Sequence, residues 1–410
     1  MHKSFALGPF CQLLTMRHLP LKGPLRDEQL EVIEQGGVII RDGKIAAIGP
    51  FERIRRVAKE DGLGIKAIEK PMVALPGFID AHTHLCFAGS RAKDYALRAE
   101  GKTYLEIAKA GGGIWDTVMK TRAAAPAELE ALSVQRAQRH FLGGVTTIEV
   151  KSGYTLTIEG ELKMLRAIQA TQTQVKADLI PTCLPAHIVP KDFIGDEIAY
   201  IQHMLTHFFP IVQAEGLAQR ADIFVEEGAF SVKAATLYMQ ALQQQGFDLT
   251  VHADQFSLGG SALAVRHKAR SADHLEASGE AEIKALAASE VIPVALPGAS
   301  IGLGCEFAPG RRLLDAGASL AIASDWNPGS APMGDLLTVA SIYGMFEKLS
   351  TAEVLAGIGF RAAAALGLSD RGRLIEGQIA DIVAFPVDDY REILYQQGQL
   401  RPGGVWKRGR

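Results

Sequence analysis

His82-Thr83-His84 closes an apolar run that begins at Val73. In a strand, residues i and i+2 project to the same face, so the two imidazoles point together. Imidazole suits zinc and iron, and two such ligands with a third histidine and a carboxylate complete a site with room for water. Similar endings recur down the chain. Further apolar runs finish at Lys151, His187, Glu226-Glu227, His252, His274 and Asp325, and five of the 11 histidines thereby close a run. An isolated H-x-H is a weak signal, since histidines near a strand end often do no more than hydrogen-bond. Matched endings at His252, His274 and Asp325 point instead to a metal centre.

Eight segments have the texture of strands: 73–84, 145–151, 179–187, 222–227, 249–252, 271–274, 291–296 and 320–325. Segments of helical period lie between most of them, for example 161–174, 199–214, 234–245 and 280–289. In the third of these, Leu237, Ala241 and Leu242 mark the expected buried face. Eight βα units in about 300 residues match an α/β fold of the (β/α)8 TIM-like barrel type, whose active site lies at the C-terminal strand ends. Residues 32–49 form two β segments about Asp42-Gly43, a hairpin signal, and β texture returns at 377–385. The expected organisation is a small discontinuous β-sandwich domain from 1–72 and 376–410, around a barrel at 73–375.

That layout bears on metal count. A two-metal site needs a bridging carboxylate or carbamylated lysine from mid-barrel. Lys151 ends the second strand, too early for that, and Glu226 and Glu227 read better as solvated or salt-bridged carboxylates. One ion is expected.

Composition narrows the partner. Lys plus Arg is 43 and Asp plus Glu 46 in 410 residues, a formal net charge of −3. A chain so near neutral has no bulk attraction for nucleic acid or an anionic membrane, so a small-molecule substrate is expected. Four dispersed cysteines form no C-x-x-C pair, which fits a reducing, cytoplasmic setting. No apolar run approaches the roughly 18 residues of a membrane span, and Pro9, Gln12 and Thr15 interrupt the stretch most like a signal h-region. Gly111-Gly112-Gly113 lacks the Gly-Lys-Ser/Thr of a phosphate loop and suits a turn near the barrel mouth. Barrels of this kind are often symmetric, so a homodimer is expected.

The residues from Pro76 to His84 (PGFIDAHTH), Ser271-Ala272-Asp273-His274, Ser324-Asp325 and Gly377-Gln378-Ile379-Ala380-Asp381 resemble the amidohydrolase superfamily. Within it the chain is similar to the imidazolonepropionase family, which opens an imidazolone ring in histidine degradation. The motifs carrying this are 107–114 (IAKAGGGI), 149–154 (EVKSGY), Ala186-His187, 251–255 (VHADQ), 296–299 (LPGA) and 325–330 (DWNPGS), an ordered set within 73–385. The resemblance implies His82, His84, His252 and Asp325 as ligands of one Zn2+ or Fe3+. It implies that Arg91, Tyr154, His187, Gln255, Asn327, Gly329 and Ser330 contact substrate, with Tyr104 lining the pocket and His274 behind the ligands. Two departures stand out. Position 255 is Gln where some members use Glu in proton transfer, and a neutral amide cannot act as a base near neutral pH. The stretch 300–304 (SIGLG) lacks the aromatic and charged residues expected there.

Hydrolysis of a cyclic amide needs an activated water and a polarised carbonyl, both of which a metal ion supplies. With Gln255 unable to take a proton, Asp325 is the expected shuttle from the metal-bound water to the leaving ring nitrogen. His274 is expected to hold the nucleophile and His187 to donate to the developing oxyanion. Arg91 follows the first strand closely enough to pair with a propionate, although an ion pair with Asp94 or Glu100 is the plainer reading. A mononuclear deaminase of a related heterocycle is the nearest rival; a metal-free scaffold is disfavoured by the full ligand set.

Overall fold

The computed structural model describes residues 4–102, 106 and 111–410. Tyr104 and residues 107–110 of the glycine motif lie outside the described residues. Among the described residues, fifteen strands form two sheets. The first holds β1 (Phe5–Leu14), β2 (Val32–Arg41), β3 (Lys44–Pro50), β4 (Gly64–Ala67) and β5 (Val73–Pro76) from the N-terminal part, with β14 (Ile382–Phe385) and β15 (Gly404–Trp406) from the C-terminal part. β2 and β3 flank Asp42-Gly43 as the hairpin signal predicts. One face buries Phe10, Leu13, Val38 and Ile382; the other packs Ile39 under Phe51, Ile54 and Ala58 of the helix Phe51–Glu60. Alternation along β1 and β2 serves both faces.

The second sheet is parallel: β6 (Phe78–Asp80), β7 (Val145–Lys151), β8 (Asp178–Ala186), β9 (Arg220–Val225), β10 (Asp248–Ala253), β11 (Ser271–His274), β12 (Ile292–Ala295) and β13 (Ala321–Ile322), each paired to the next in order. All four residues of β11 and of β12 are buried, as are all seven of β7, the pattern of a sheet covered on both faces. Helices such as Ile158–Gln172 and Val232–Gln244 follow the strands. Their N-termini are capped by Thr157 and Ser231, whose hydroxyls accept the N–H of Gly160 and Ala234. The ring closes beyond the ends of β6 and β13: the Asp325 N–H reaches the His82 carbonyl at 3.1 Å, and the His84 N–H the Trp326 carbonyl at 2.9 Å. The barrel seam is therefore also where the H-x-H motif sits.

Three expectations are corrected. The single strand over 73–84 is two: Val73–Pro76 pairs β1 and β14 in the first sheet, and only Phe78–Asp80 is in the barrel. The helix over 199–214 is broken into Glu197–His207 and Phe209–Glu215, because Pro210 has no N–H to donate and fits only a first turn. On Val232–Gln244 the buried face runs through Ala234, Ala235, Tyr238, Met239 and Leu242, and Leu237 is 37% exposed. No helix among the described residues is long and apolar enough to cross a membrane.

Candidate metal centre and substrate cavity

The Nε2 atoms of His82 and His84 are 3.2 Å apart, and that of His252 is 3.2 Å from His84. All three side chains are buried, and among the described residues theirs is the one such cluster of potential metal ligands. Asp325 Oδ1 stands 3.5 Å from the Nε2 of both His82 and His84. His82 Nδ1 lies 2.6 Å from Asp273 Oδ2, and His252 Nδ1 2.9 Å from Asp222 Oδ2. Carboxylate partners keep the ring protons on Nδ1, so both rings turn Nε2 lone pairs toward His84. Crowded acceptor nitrogens repel one another, and a cation satisfies them together. Burial holds His82 and His84 well below the ordinary imidazole range and His252 at about 4, so the rings are in the neutral, ligating form. Burial pushes Asp273 up to about 7; a cation on His82 Nε2 favours its ionised form. The residues present fit a metal ion.

A buried cation braces these ligands. Lys151 Nζ is 2.8 Å from Glu149 Oε1 and 2.8 Å from Asp222 Oδ2. Glu149 Oε2 in turn accepts the N–H of Thr83, between the two histidines of the motif. Lys151 is thus committed to two carboxylates and is not free to bridge a second ion. Glu226 is not the solvated or salt-bridged group expected. Buried, it accepts from the N–H groups of Glu227, Phe256 and Ser257 and from the Ser257 hydroxyl, fastening the loop that carries Gln255. Glu227 is exposed.

The centre forms the floor of a cavity of about 680 Å3 bordered by Arg91, Tyr154, His187, Gln255, His274 and Asn327, among others. Gly329 and Ser330 also line it, so every described residue that the sequence analysis placed at substrate faces one space, with His274 and three of the four ligands. Asn327 Nδ2 donates to Asp325 Oδ2 at 2.8 Å and to Ser330 Oγ, while its Oδ1 accepts the N–H of Gly329 and Ser330. One side chain therefore shapes that loop and anchors the Asp325 carboxylate. Burial pushes Asp325 up to about 6 although His274 opposes it, and its φ of 52° holds it in the left-handed region, a sparsely populated conformation typical of functional positions.

One role changes on inspection. His187 Nδ1 is 3.0 Å from the Gly153 carbonyl, so it carries a proton, and burial drops the ring to about 3. The neutral ring presents Nε2 to the cavity as an acceptor, which does not fit the oxyanion donor expected of it. Arg91 makes the ion pair with Asp94, Nε to Oδ2 2.8 Å, but both side chains are largely buried and the guanidinium still borders the cavity. Gly329 permits this: a Cβ there would stand 2.2 Å from Arg91 Nη1.

Residues 300–303 lie in the helix Pro297–Leu303, which Gly304 caps, and the helix is pressed onto the Ser330 backbone, where a Cβ on Gly302 would meet the Ser330 carbonyl oxygen at 1.6 Å. Sequence reasoning missed Glu149, Asp222, Asp273 and Arg98. The first three share a legible signal, an acidic residue inside a short buried strand. Arg98 has none; its Nη1 donates to the Gly302 carbonyl at 2.6 Å across the cavity wall.

The chain is 40% identical over 404 residues to an imidazolonepropionase of Symbiobacterium thermophilum, covering 97% of this chain and 95% of that one. It is 40% identical over 401 residues to that of Myxococcus xanthus, with the same coverage. The amidohydrolase family model matches residues 99–410. Among solved structures, atrazine chlorohydrolase from Arthrobacter aurescens complexed with zinc superposes at a TM-score of 0.71 (18% identity, 99% of this chain and 94% of that). An adenosine deaminase from Xanthomonas campestris with bound zinc gives 0.72 at 17% identity, covering 100% and 92%. At such identities the structural likeness concerns the fold.

Proposed function

The chain belongs to the imidazolonepropionase family of amidohydrolases, and from that premise we propose how its site hydrolyses the cyclic amide of 4-imidazolone-5-propanoate to N-formimidoyl-L-glutamate in histidine degradation. The observation that carries the reading is the meeting of three Nε2 atoms and Asp325 Oδ1 on the floor of a cavity that also holds a guanidinium. His82, His84, His252 and Asp325 would hold one Zn2+ or Fe3+, the ions this donor set suits. Such an ion, when bound, acidifies a water and polarises the amide carbonyl.

The chain's own groups do the rest. Asn327 fixes the Asp325 carboxylate through Oδ2, so that the carboxylate takes a proton from the attacking water and returns it to the ring nitrogen as the C–N bond breaks. His274 faces the cavity; burial lowers its basicity, but Glu276 beside Nδ1 and then Asp325 raise it above the ordinary value, which suits a ring that donates to the nucleophile. His187 Nε2 accepts a ring N–H of the substrate and so orients it. Arg91 pairs with the propionate through the nitrogens that Asp94 leaves free.

The test is the ultraviolet absorbance of freshly made 4-imidazolone-5-propanoate mixed with metal-loaded protein. Decay well above the spontaneous rate, abolished by a chelator and restored by zinc or ferric ion, is expected. No decay from protein shown to hold one ion per chain would sink the assignment and favour a deaminase. Gln255, in a loop held by Glu226 and with only an amide to offer, binds without moving protons. Gln255→Ala is expected to raise KM several-fold with kcat nearly unchanged, since it removes binding common to ground and transition states. A steady-state comparison in which kcat falls as far as KM rises would assign Gln255 to the chemistry.

A further inference from the structure

Behind His274 lies a carboxylate that the mechanism above leaves without a role of its own. The Glu276 side chain is 5% exposed, and Oε1 stands 3.5 Å from His274 Nδ1. The same oxygen accepts the Ser300 hydroxyl at 3.2 Å, while Oε2 is buried with no hydrogen-bond partner among the described residues. No Lys or Arg pairs with Glu276 among the ion pairs of the described residues. Burying a carboxylate without a cation is costly, so its place beside an imidazole asks for a reason beyond packing. His274 itself sits at φ 86°, outside the ordinary strand region, with its ring centroid 5.4 Å from that of His252. A ring on so irregular a backbone is not aimed by the strand alone.

We propose that Glu276 is a positioning residue for the hydrolysis: it accepts the Nδ1 proton of His274, so that the ring keeps Nε2 turned to the cavity, and Ser300 holds Glu276 in register. This rests on the role given to His274 above. It also gives the unusual 300–304 stretch a function, since Ser300, 1% exposed at the inner face of the helix Pro297–Leu303, is its only residue in contact with the His274 support among the hydrogen bonds described. The logic is that of any oriented imidazole, in which an acceptor on one nitrogen fixes what the other nitrogen offers.

Two variants separate acceptance of a hydrogen bond from mere filling of space. Glu276→Leu fills the volume but accepts nothing; Glu276→Gln keeps an acceptor oxygen in the same place. The proposal expects kcat for Glu276→Leu to fall about 10- to 100-fold, the usual scale for loss of such a support. Its KM, bound zinc and melting temperature should stay near those of the parent. Glu276→Gln should recover kcat to within a few-fold of the parent. Unchanged kcat in Glu276→Leu overturns the proposal, as does a loss that tracks lost zinc or lost fold. Equal losses in both variants also overturn it, because charge and not acceptance would then be what His274 needs. Parent turnover, measured alongside, keeps the cases apart: an inactive parent removes the imidazolone reading itself, whereas an active parent beside an equally active Glu276→Leu removes only the role of Glu276.

Discussion

Asp325→Asn is expected to lower kcat by about 10³-fold or more while the barrel stays folded, a loss on the upper scale of general acid–base catalysis. The carboxylate is bound on both sides. Asn327 Nδ2 donates to Oδ2 at 2.8 Å, and Oδ1 faces the Nε2 atoms of His82 and His84 at 3.5 Å. An asparagine amide at 325 has two orientations there. With its oxygen toward Asn327, its NH2 points protons at the place where a cation belongs; flipped, two NH2 groups face each other. Neither orientation can take a proton from water. Stability moves the other way. Burial raises Asp325 to about 6, well above the ordinary carboxylate value, so in the metal-free protein its ionised form weakens the fold as pH rises past the unfolded pKa. Asparagine removes that cost, and the melting temperature of the metal-free variant at pH 7 should equal or exceed the parent's. Assays with saturating substrate and thermal melts of the metal-free protein at pH 7 check both halves. Retention of more than about a tenth of kcat would exclude Asp325 as the proton acceptor.

The ligand set was legible because strand geometry is simple. An i, i+2 pair shares a face, and a barrel gathers its strand ends at one rim, so His82, His84, His252 and Asp325 could be brought together from their positions alone. What holds them was not. Asp222 of β9 reaches His252 from the neighbouring strand, whereas Asp273 of β11 reaches His82, just beyond β6, across the barrel interior, and such partners depend on tilt and register that a single sequence does not display. The strand over 73–84 divides for a related reason. An apolar run unbroken from Val73 to Ile79 except at Pro76-Gly77 looks like one strand, yet its halves serve different sheets. The face of Val232–Gln244 turns on a finer point: Leu237 is the more apolar residue, but alanines 234 and 235 pack where the helix approaches the barrel and leave it outside. His187 shows the limit for chemistry, since only the Gly153 carbonyl reveals which nitrogen carries the proton.

Lys151→Met is expected to be the most damaging change outside the ligands themselves, costing about 3–5 kcal/mol of stability, the scale for stripping one partner from a buried ion pair. Lys151, Glu149 and Asp222 are each at most 1% exposed, and among the described residues the ammonium is the one cation within salt-bridge distance of either carboxylate, His252 at Asp222 being a neutral ring. Methionine matches the stem but leaves two buried carboxylates without their cation. The damage passes directly to the metal centre, because Glu149 holds the Thr83 N–H and Asp222 holds both the N–H and Nδ1 of His252. Bound metal should therefore fall together with the melting temperature, unlike in Asp325→Asn. The pH dependence follows with a definite sign. Burial raises Glu149 already in the parent, and Lys151, after His252, is what keeps Asp222 low against its own burial. Without Lys151 both folded-state values rise. A group whose folded pKa is raised stabilises at low pH and loses that contribution as pH rises, so the gap between variant and parent in the metal-free state should be smaller at pH 5 than at pH 8. Thermal melts at those two values with chelator present make the comparison. A gap that is constant, or that narrows toward pH 8, would mean that Lys151 acts as packing and that the two carboxylates find other partners when it is gone.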